Sequence, residues 1–183
     1  MKKIKVSIFS LILATVFACN KPTTVLFADM ATAVIADKTG WTVTADSETP
    51  TGAENTGKAS AVIDGNIATY WHTDNTVSPV PGYPHWLLID MKSDKNIISV
   101  TLTNRQAATA IATGMKKFKL EGSKDGTAFT SLGEFSFAIT NNAQRFAVSS
   151  ANAYRYLKLT ALESQTGTTP HTFLAEIDVA VAK

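Results

Sequence analysis

The chain has 183 residues, 45% of them apolar, with 17 lysines and arginines against 15 acids, a formal charge of +2 and a single cysteine. That length supports one domain with its own core. The near-neutral balance lacks the basic footprint of a nucleic-acid-binding protein, and one cysteine excludes a disulfide within the domain.

The first element is MKKIKVSIFSLILATVFAC, a lysine-rich start followed by an apolar run from Val6 to Ala18 and then Cys19. It reads as an export signal over residues 1–18. The run falls short of the roughly 20 residues that a membrane-spanning helix needs. Val16-Phe17-Ala18-Cys19 resembles a bacterial lipobox, so Cys19 is expected to carry lipid and to anchor the protein to a bacterial membrane, at the outer membrane or cell surface. Loss of the leader removes Lys2, Lys3 and Lys5 and no acid, which leaves 14 bases against 15 acids and a net charge of −1.

From Cys19 to Gly40 the sequence is rich in Thr, Ala and Asp without a sustained period, and it reads as a linker. From Trp41 to the C-terminus, residues 41–183, short β-branched or alternating runs recur: WTVTA, HWLLIDM, NIISVTLTNR, MKKFKLEGS, AFTSLGEFSF, QRFAVSS, YRYLKLTAL and FLAEIDVAVA. These read as strands. In KKFKLEG, Phe118 and Leu120 alternate with Lys117, Lys119 and Glu121, one face buried and one wet. Phe173, Ala175, Ile177, Val179 and Val181 keep the same period at the C-terminus. Lys124-Asp125-Gly126 is a hairpin turn, because glycine tolerates the positive φ that tight turns require. About eight strands with hardly any helical period predict an all-β antiparallel sandwich.

The run AVIDGNIATYWHTD, residues 61–74, concentrates the polar chemistry. Asp64, Asn66 and Thr69 supply three oxygen-bearing side chains within six residues, and Gly65 lets the loop curl. A hard cation such as Ca²⁺ takes six to eight oxygens. Turn chemistry explains the same residues equally well. Trp71 reads as core and His72 as facing the opposite way.

Seven blocks in order carry a resemblance: WTVTADSE (41–48), IDGNIATYWHT (63–73), PHWLLIDM (84–91), the strand-end Arg105, EGSKDG (121–126), RYLKL (155–159) and LAEIDV (174–179). The chain resembles the discoidin, or coagulation factor 5/8 type C, domain, which includes the family 32 carbohydrate-binding modules. The resemblance implies an eight-stranded jelly roll that binds its ligand with loops at one end. In relatives with bacterial export signals that ligand is usually a glycan or polysaccharide. It also implies a structural calcium, with the carbonyl of Ala61, Asp64, Asn66, Thr69, the carbonyl of Ala175 and the carboxylate of Glu176 as ligands. The histidine of the WHT block, His72, and Arg105 would bond sugar hydroxyls. An aromatic plate would come from His171 or Phe173, with Tyr83 a third candidate. Phe173 also fits the core period. Galactose-binding relatives place an asparagine shortly after the arginine; here Gln106 follows, and Gln106 or Asn104 would have to substitute.

Two other functions compete with sugar binding. Glycoside hydrolysis needs two carboxylates across a cleft, and the acids here fall in turns, on wet strand faces or in the metal set. No G-x-S-x-G, H-E-x-x-H or phosphate loop is present, so the domain is expected not to be an enzyme. An adhesin binding a protein or lipid partner would use the apolar loop VSPVPGYP, residues 77–84.

Overall fold

The computed structural model describes residues 33–50, 57–107, 110–148 and 150–183. The expected export signal, Cys19 and the expected linker as far as residue 32 lie outside the described residues. Eleven strands occur among those described: β1 (Ala33–Ile35), β2 (Thr42–Ala45), β3 (Trp71–His72), β4 (His85–Lys95), β5 (Ile97–Thr103), β6 (Met115–Ser123), β7 (Thr130–Ser136), β8 (Gln144–Ala147), β9 (Tyr154–Ser164), β10 (Phe173–Leu174) and β11 (Glu176–Ala182). They make an all-β sandwich of two antiparallel sheets, β1-β11-β5-β8 and β2-β4-β9-β6-β7, with β3 and β10 paired in a short ribbon.

The eight expected runs all become strands, and the additions have local causes. FLAEIDVAVA divides at Ala175: Phe173 and Leu174 pair with His72 and Trp71, whereas Glu176 onward pairs with β5. The Ala175 N–H crosses to the Thr103 carbonyl at 2.9 Å and marks the change of sheet. β1 lies inside the segment read as linker. Ala33, Val34 and Ile35 pair with Ala182, Val181 and Ala180, so the sandwich begins before Trp41.

Alternation builds the core as expected. In β6, Met115, Phe118 and Leu120 are buried, and the Phe118 ring stacks on Phe135 at 5.5 Å and meets Phe146 edge-on at 4.8 Å. The turn after β6 closes on Gly126, whose φ of 78° lies in the left-handed region. The Asp125 carboxylate accepts the N–H groups of Thr127 and Ala128 there. The arginine of RYLKL has a structural task, since Arg155 binds both oxygens of Asp90 at 2.8 and 2.9 Å.

Three loops converge at the end that carries the ribbon; their described residues are 73–84, 104–107 with 110–114, and 165–172. Thr73 and Thr172 exchange hydrogen bonds at 3.0 Å, the Gln165 N–H reaches the Gly114 carbonyl at 2.8 Å, and Gly114 packs so closely on the Phe173 ring that a Cβ would come within 2.7 Å of it. A side chain at Gly114 would displace that ring.

Candidate ligand site

The ribbon positions the first part of the site. Period-two alternation puts Tyr70 and His72 on the face opposite Trp71, whose indole N–H donates to the Ser47 carbonyl at 2.9 Å. Tyr70, Phe173 and Ala175 form a small buried cluster beside the main core. The Arg105 guanidinium, at the end of β5, lies 4.0 Å above the centroid of the Tyr70 ring and 5.7 Å from that of Phe173. Stacking of this kind uses the planar face of the guanidinium and leaves its in-plane N–H groups for hydrogen bonds. The His72 ring sits 5.2 Å from His171 and 5.6 Å from Phe173, edge-on to both.

The structure thus gathers His72, Arg105, His171 and Phe173, but not in the roles expected of each. Phe173 is 2% exposed and offers no open ring face, so it serves the core rather than a sugar platform. His72 is buried as well, at 3%, because the rings of Phe173, its cross-strand partner, and of His171 pack against it. Asn104 is 1% exposed; its Oδ1 accepts the Arg105 N–H at 2.9 Å, which orders the backbone under the arginine instead of reaching solvent. Gln106 is exposed, but its amide nitrogen donates to the carbonyls of Asn104 and Asn141 at 2.8 and 3.1 Å. Tyr83 is tied to other partners: its hydroxyl donates to the His171 carbonyl at 3.4 Å and its ring meets His85 at 5.1 Å. Arg105 and His171 are half-buried. Tyr70, the floor for Arg105, was missed, although its spacing of two from His72 was the available signal.

The second part is an oxygen-rich loop. A short 3₁₀ turn, Ala59–Ile63, leads into Asp64, and the Asp64 N–H returns to the Ala61 carbonyl at 3.4 Å. Asp64 accepts the Asn66 N–H at 2.8 Å and the Thr69 hydroxyl at 2.6 Å. That hydroxyl also lies 2.7 Å from the Asn66 carbonyl. The Asn66 side chain turns to the Ala68 N–H at 3.1 Å, so it is the main-chain oxygen of Asn66 that joins the cluster. Gly65 donates its N–H to Glu176 at 2.9 Å and ties the loop to the start of β11. Two carboxylates with hydroxyl and carbonyl oxygens are the hard donors that calcium prefers, so the residues present fit such an ion.

A neighbour from the N-terminal segment complicates that seat. The Lys38 ammonium contacts the other oxygen of Glu176 and bonds Asp178 at 2.8 Å and the Ile177 carbonyl at 3.3 Å. Burial pushes the Glu176 carboxyl up, against the pull of Lys38 and the Gly65 N–H. Burial also opposes the charge on Lys38, but hydrogen bonds to Asp178 and Glu176 prevail and raise its pKa. Sequence periodicity gave no signal for Lys38, which stands in an aperiodic stretch.

The third part is His85, fully buried, with Nδ1 2.8 Å from Asp46 and Nε2 2.7 Å from the Pro170 carbonyl. Asp46 also accepts the Trp86 N–H at 2.6 Å. Burial works against the charged ring; the Asp46 carboxylate and the carbonyls of Pro170 and Pro81 outweigh it and raise the pKa above 6.5. With acceptors at both nitrogens, the imidazolium clamps the 165–172 loop. A pKa raised on folding contributes stability that is fully present below the unfolded value and is lost as pH rises through the folded value. The melting temperature is therefore expected to fall from about pH 6 to about pH 8.5, across the histidine range, and to fall less in His85→Gln. Parallel pH profiles for the two proteins would remove the clamp.

The fold is thus a β-sandwich with an arginine–aromatic cluster at its loop end. A model of the F5/8 type C domain matches residues 42–177, and the chain belongs to that family. It is 33% identical over 140 residues to a sialidase of Micromonospora viridifaciens, a match covering 75% of this chain and 20% of that enzyme. The chain therefore spans about a fifth of that relative. Among solved structures it is similar to the C-terminal domain of a chitobiase from Bacteroides fragilis, at 29% identity and a TM-score of 0.72, covering 82% of this chain and 99% of that one. It is also similar to CpGH89CBM32-5 of Clostridium perfringens, solved in complex with GalNAc-β-1,3-galactose, at 26% identity and a TM-score of 0.70, covering 80% and 99%.

Proposed function

We propose that the domain binds carbohydrate, without catalysis, through the loop end that carries Arg105 and His171. The observation that carries this reading is the guanidinium laid on Tyr70 beside two histidine rings. Pyranose hydroxyls both donate and accept, and the sugar C–H face suits an aromatic or imidazole plane. The C. perfringens relative solved with a galactose-containing disaccharide supports the same ligand class. A glycan array probed with the protein from residue 20 onward tests it. Single shallow sites bind weakly, so a Kd on the order of 0.1 to 1 mM is expected, about 4 to 5.5 kcal/mol. An array without a hit would overturn the reading.

Non-catalytic binding agrees with the acids at this end. Glu163 is the single carboxylate lining the groove beside Tyr83, and Lys117 holds it at 2.9 Å, whereas glycoside hydrolysis ordinarily uses two. The adhesin alternative has less support, because Tyr83 folds back onto His171 and Val77 is the one large apolar side chain exposed on that loop.

A calcium ion held by Asp64, Thr69, Glu176 and the carbonyls of Ala61, Asn66 and Ala175 would staple the 64–69 loop to β11. Its role would be structural. Lipidation at Cys19 would hold the domain at a bacterial membrane or cell surface, where polysaccharide is met. Two or more acyl chains give lasting attachment at about 0.8 kcal/mol per buried methylene. Labelled fatty acid is expected in the wild-type protein and absent from Cys19→Ser; no label in either would remove the anchor.

A further inference from the structure

The loop end also holds a concavity beside the 165–172 loop. It is a groove of about 460 Å³ lined by Gly82 and Tyr83, Lys116, Leu162 to Ser164 and Gly167 to Pro170. Small-ligand sites occupy about 300 to 1,000 Å³. Its walls are already fixed. His85 binds the Pro170 carbonyl at 2.7 Å, the Gly167 N–H reaches the Ser164 carbonyl at 3.2 Å, and the Thr166 and Thr169 hydroxyls meet at 2.7 Å.

The lining has two characters. The Tyr83 ring, Pro170 and Leu162 supply apolar surface, while Lys116, Glu163 and the hydroxyls of Thr168 and Thr169 supply donors and acceptors around it. Lys117 engages Glu163, whereas the exposed Lys116 makes no ion pair among the described residues. One apolar surface ringed by hydrogen-bonding groups is the complement of a pyranose.

His171 links the Arg105 cluster to the groove. His171 turns its ring to His72 at 5.2 Å and its carbonyl to the Tyr83 hydroxyl at 3.4 Å. We propose that the groove is a second sugar subsite contiguous with the Arg105 site, so that the domain recognises an oligosaccharide of two or more units rather than one terminal sugar. This rests on the carbohydrate reading above.

The test begins with an array of neutral and uronic mono- to hexasaccharides. The best oligosaccharide and its terminal monosaccharide are then titrated into ¹⁵N-labelled wild type, Lys116→Ala and Thr168→Trp. Thr168 is exposed, and an indole there fills the groove without entering the core. The oligosaccharide is expected to bind about tenfold tighter than the monosaccharide, a gain of 1.4 kcal/mol, and to shift the amides of Gly82, Gly167 and Thr168. Thr168→Trp should bring it down to the monosaccharide's affinity, and Lys116→Ala should lower it several-fold. Equal affinities for the two ligands, or unchanged oligosaccharide binding in Thr168→Trp, would overturn the second subsite and leave the Arg105 site standing. No binding anywhere on the array would remove both.

Discussion

Lys38→Met melts well below the wild type in chelator, by about 3 kcal/mol of stability. The Glu176 side chain is 5% exposed and that of Lys38 16%, and removing one partner of a buried ion pair costs about 3 to 5 kcal/mol. The slight exposure of Lys38 argues for the lower end. Protonation gives Glu176 a way out, because an uncompensated buried carboxylate takes up a proton instead of staying charged. Its folded-state pKa, already raised by burial, then rises further once the opposing pull of Lys38 is gone. Stability is retained at low pH and lost as pH rises through that value, so the deficit of Lys38→Met should grow from about pH 5 to about pH 8. Calcium should restore it, since an ion at 100 times its Kd contributes about 2.7 kcal/mol, and the rescue should exceed any shift in the wild type, where Lys38 competes for Glu176. Melts indifferent to calcium in both proteins would remove the metal seat. A Lys38→Met melt equal to the wild type in chelator would show that the pair carries no stability.

Arg105→Ala abolishes detectable sugar binding and hardly moves the melt. Losing a charged hydrogen-bond donor costs about 1.5 to 3 kcal/mol, enough to carry a sub-millimolar to millimolar Kd past the range of calorimetry. The stack on Tyr70 contributes only about 0.5 to 1 kcal/mol to the fold, and the arginine is half-buried rather than core. His72→Ala differs in kind. That ring is buried against Phe173 and His171, so its removal leaves a cavity and lowers the melt along with any binding. Undiminished affinity in Arg105→Ala would move the sugar site elsewhere on the sandwich.

The strands were legible because burial on one face writes a period of two into the sequence, as Phe118 and Leu120 do against Lys117 and Lys119. The family was legible through the order of seven blocks, not through any one of them. What escaped has physical reasons. Lys38 meets Glu176 across 138 positions of sequence, a distance at which no local pattern records a pairing. His72 obeys alternation yet is buried, because the His171 and Phe173 rings from the far end of the chain pack on it. Asn104 has the chemistry of a ligand residue, but the Arg105 backbone occupies its oxygen. Residue type and spacing state what a side chain can do; the neighbour that takes up its hydrogen bonds decides whether it does so.

β1 bears on where this domain can be cut. Its three residues lie along the outer edge of β11, and the Ala36 N–H extends the contact to the Val179 carbonyl at 2.8 Å. Val34 and Ile35 are themselves partly solvent-facing, but a three-residue rim is too short to template much pairing, which is one way sheets protect a border. A chain started at Trp41, where the change of sequence texture invites the cut, loses that rim and Lys38 together. The border of β11 from Val179 to Ala182 is then bare beside an unneutralised Glu176, and two copies can meet there strand to strand.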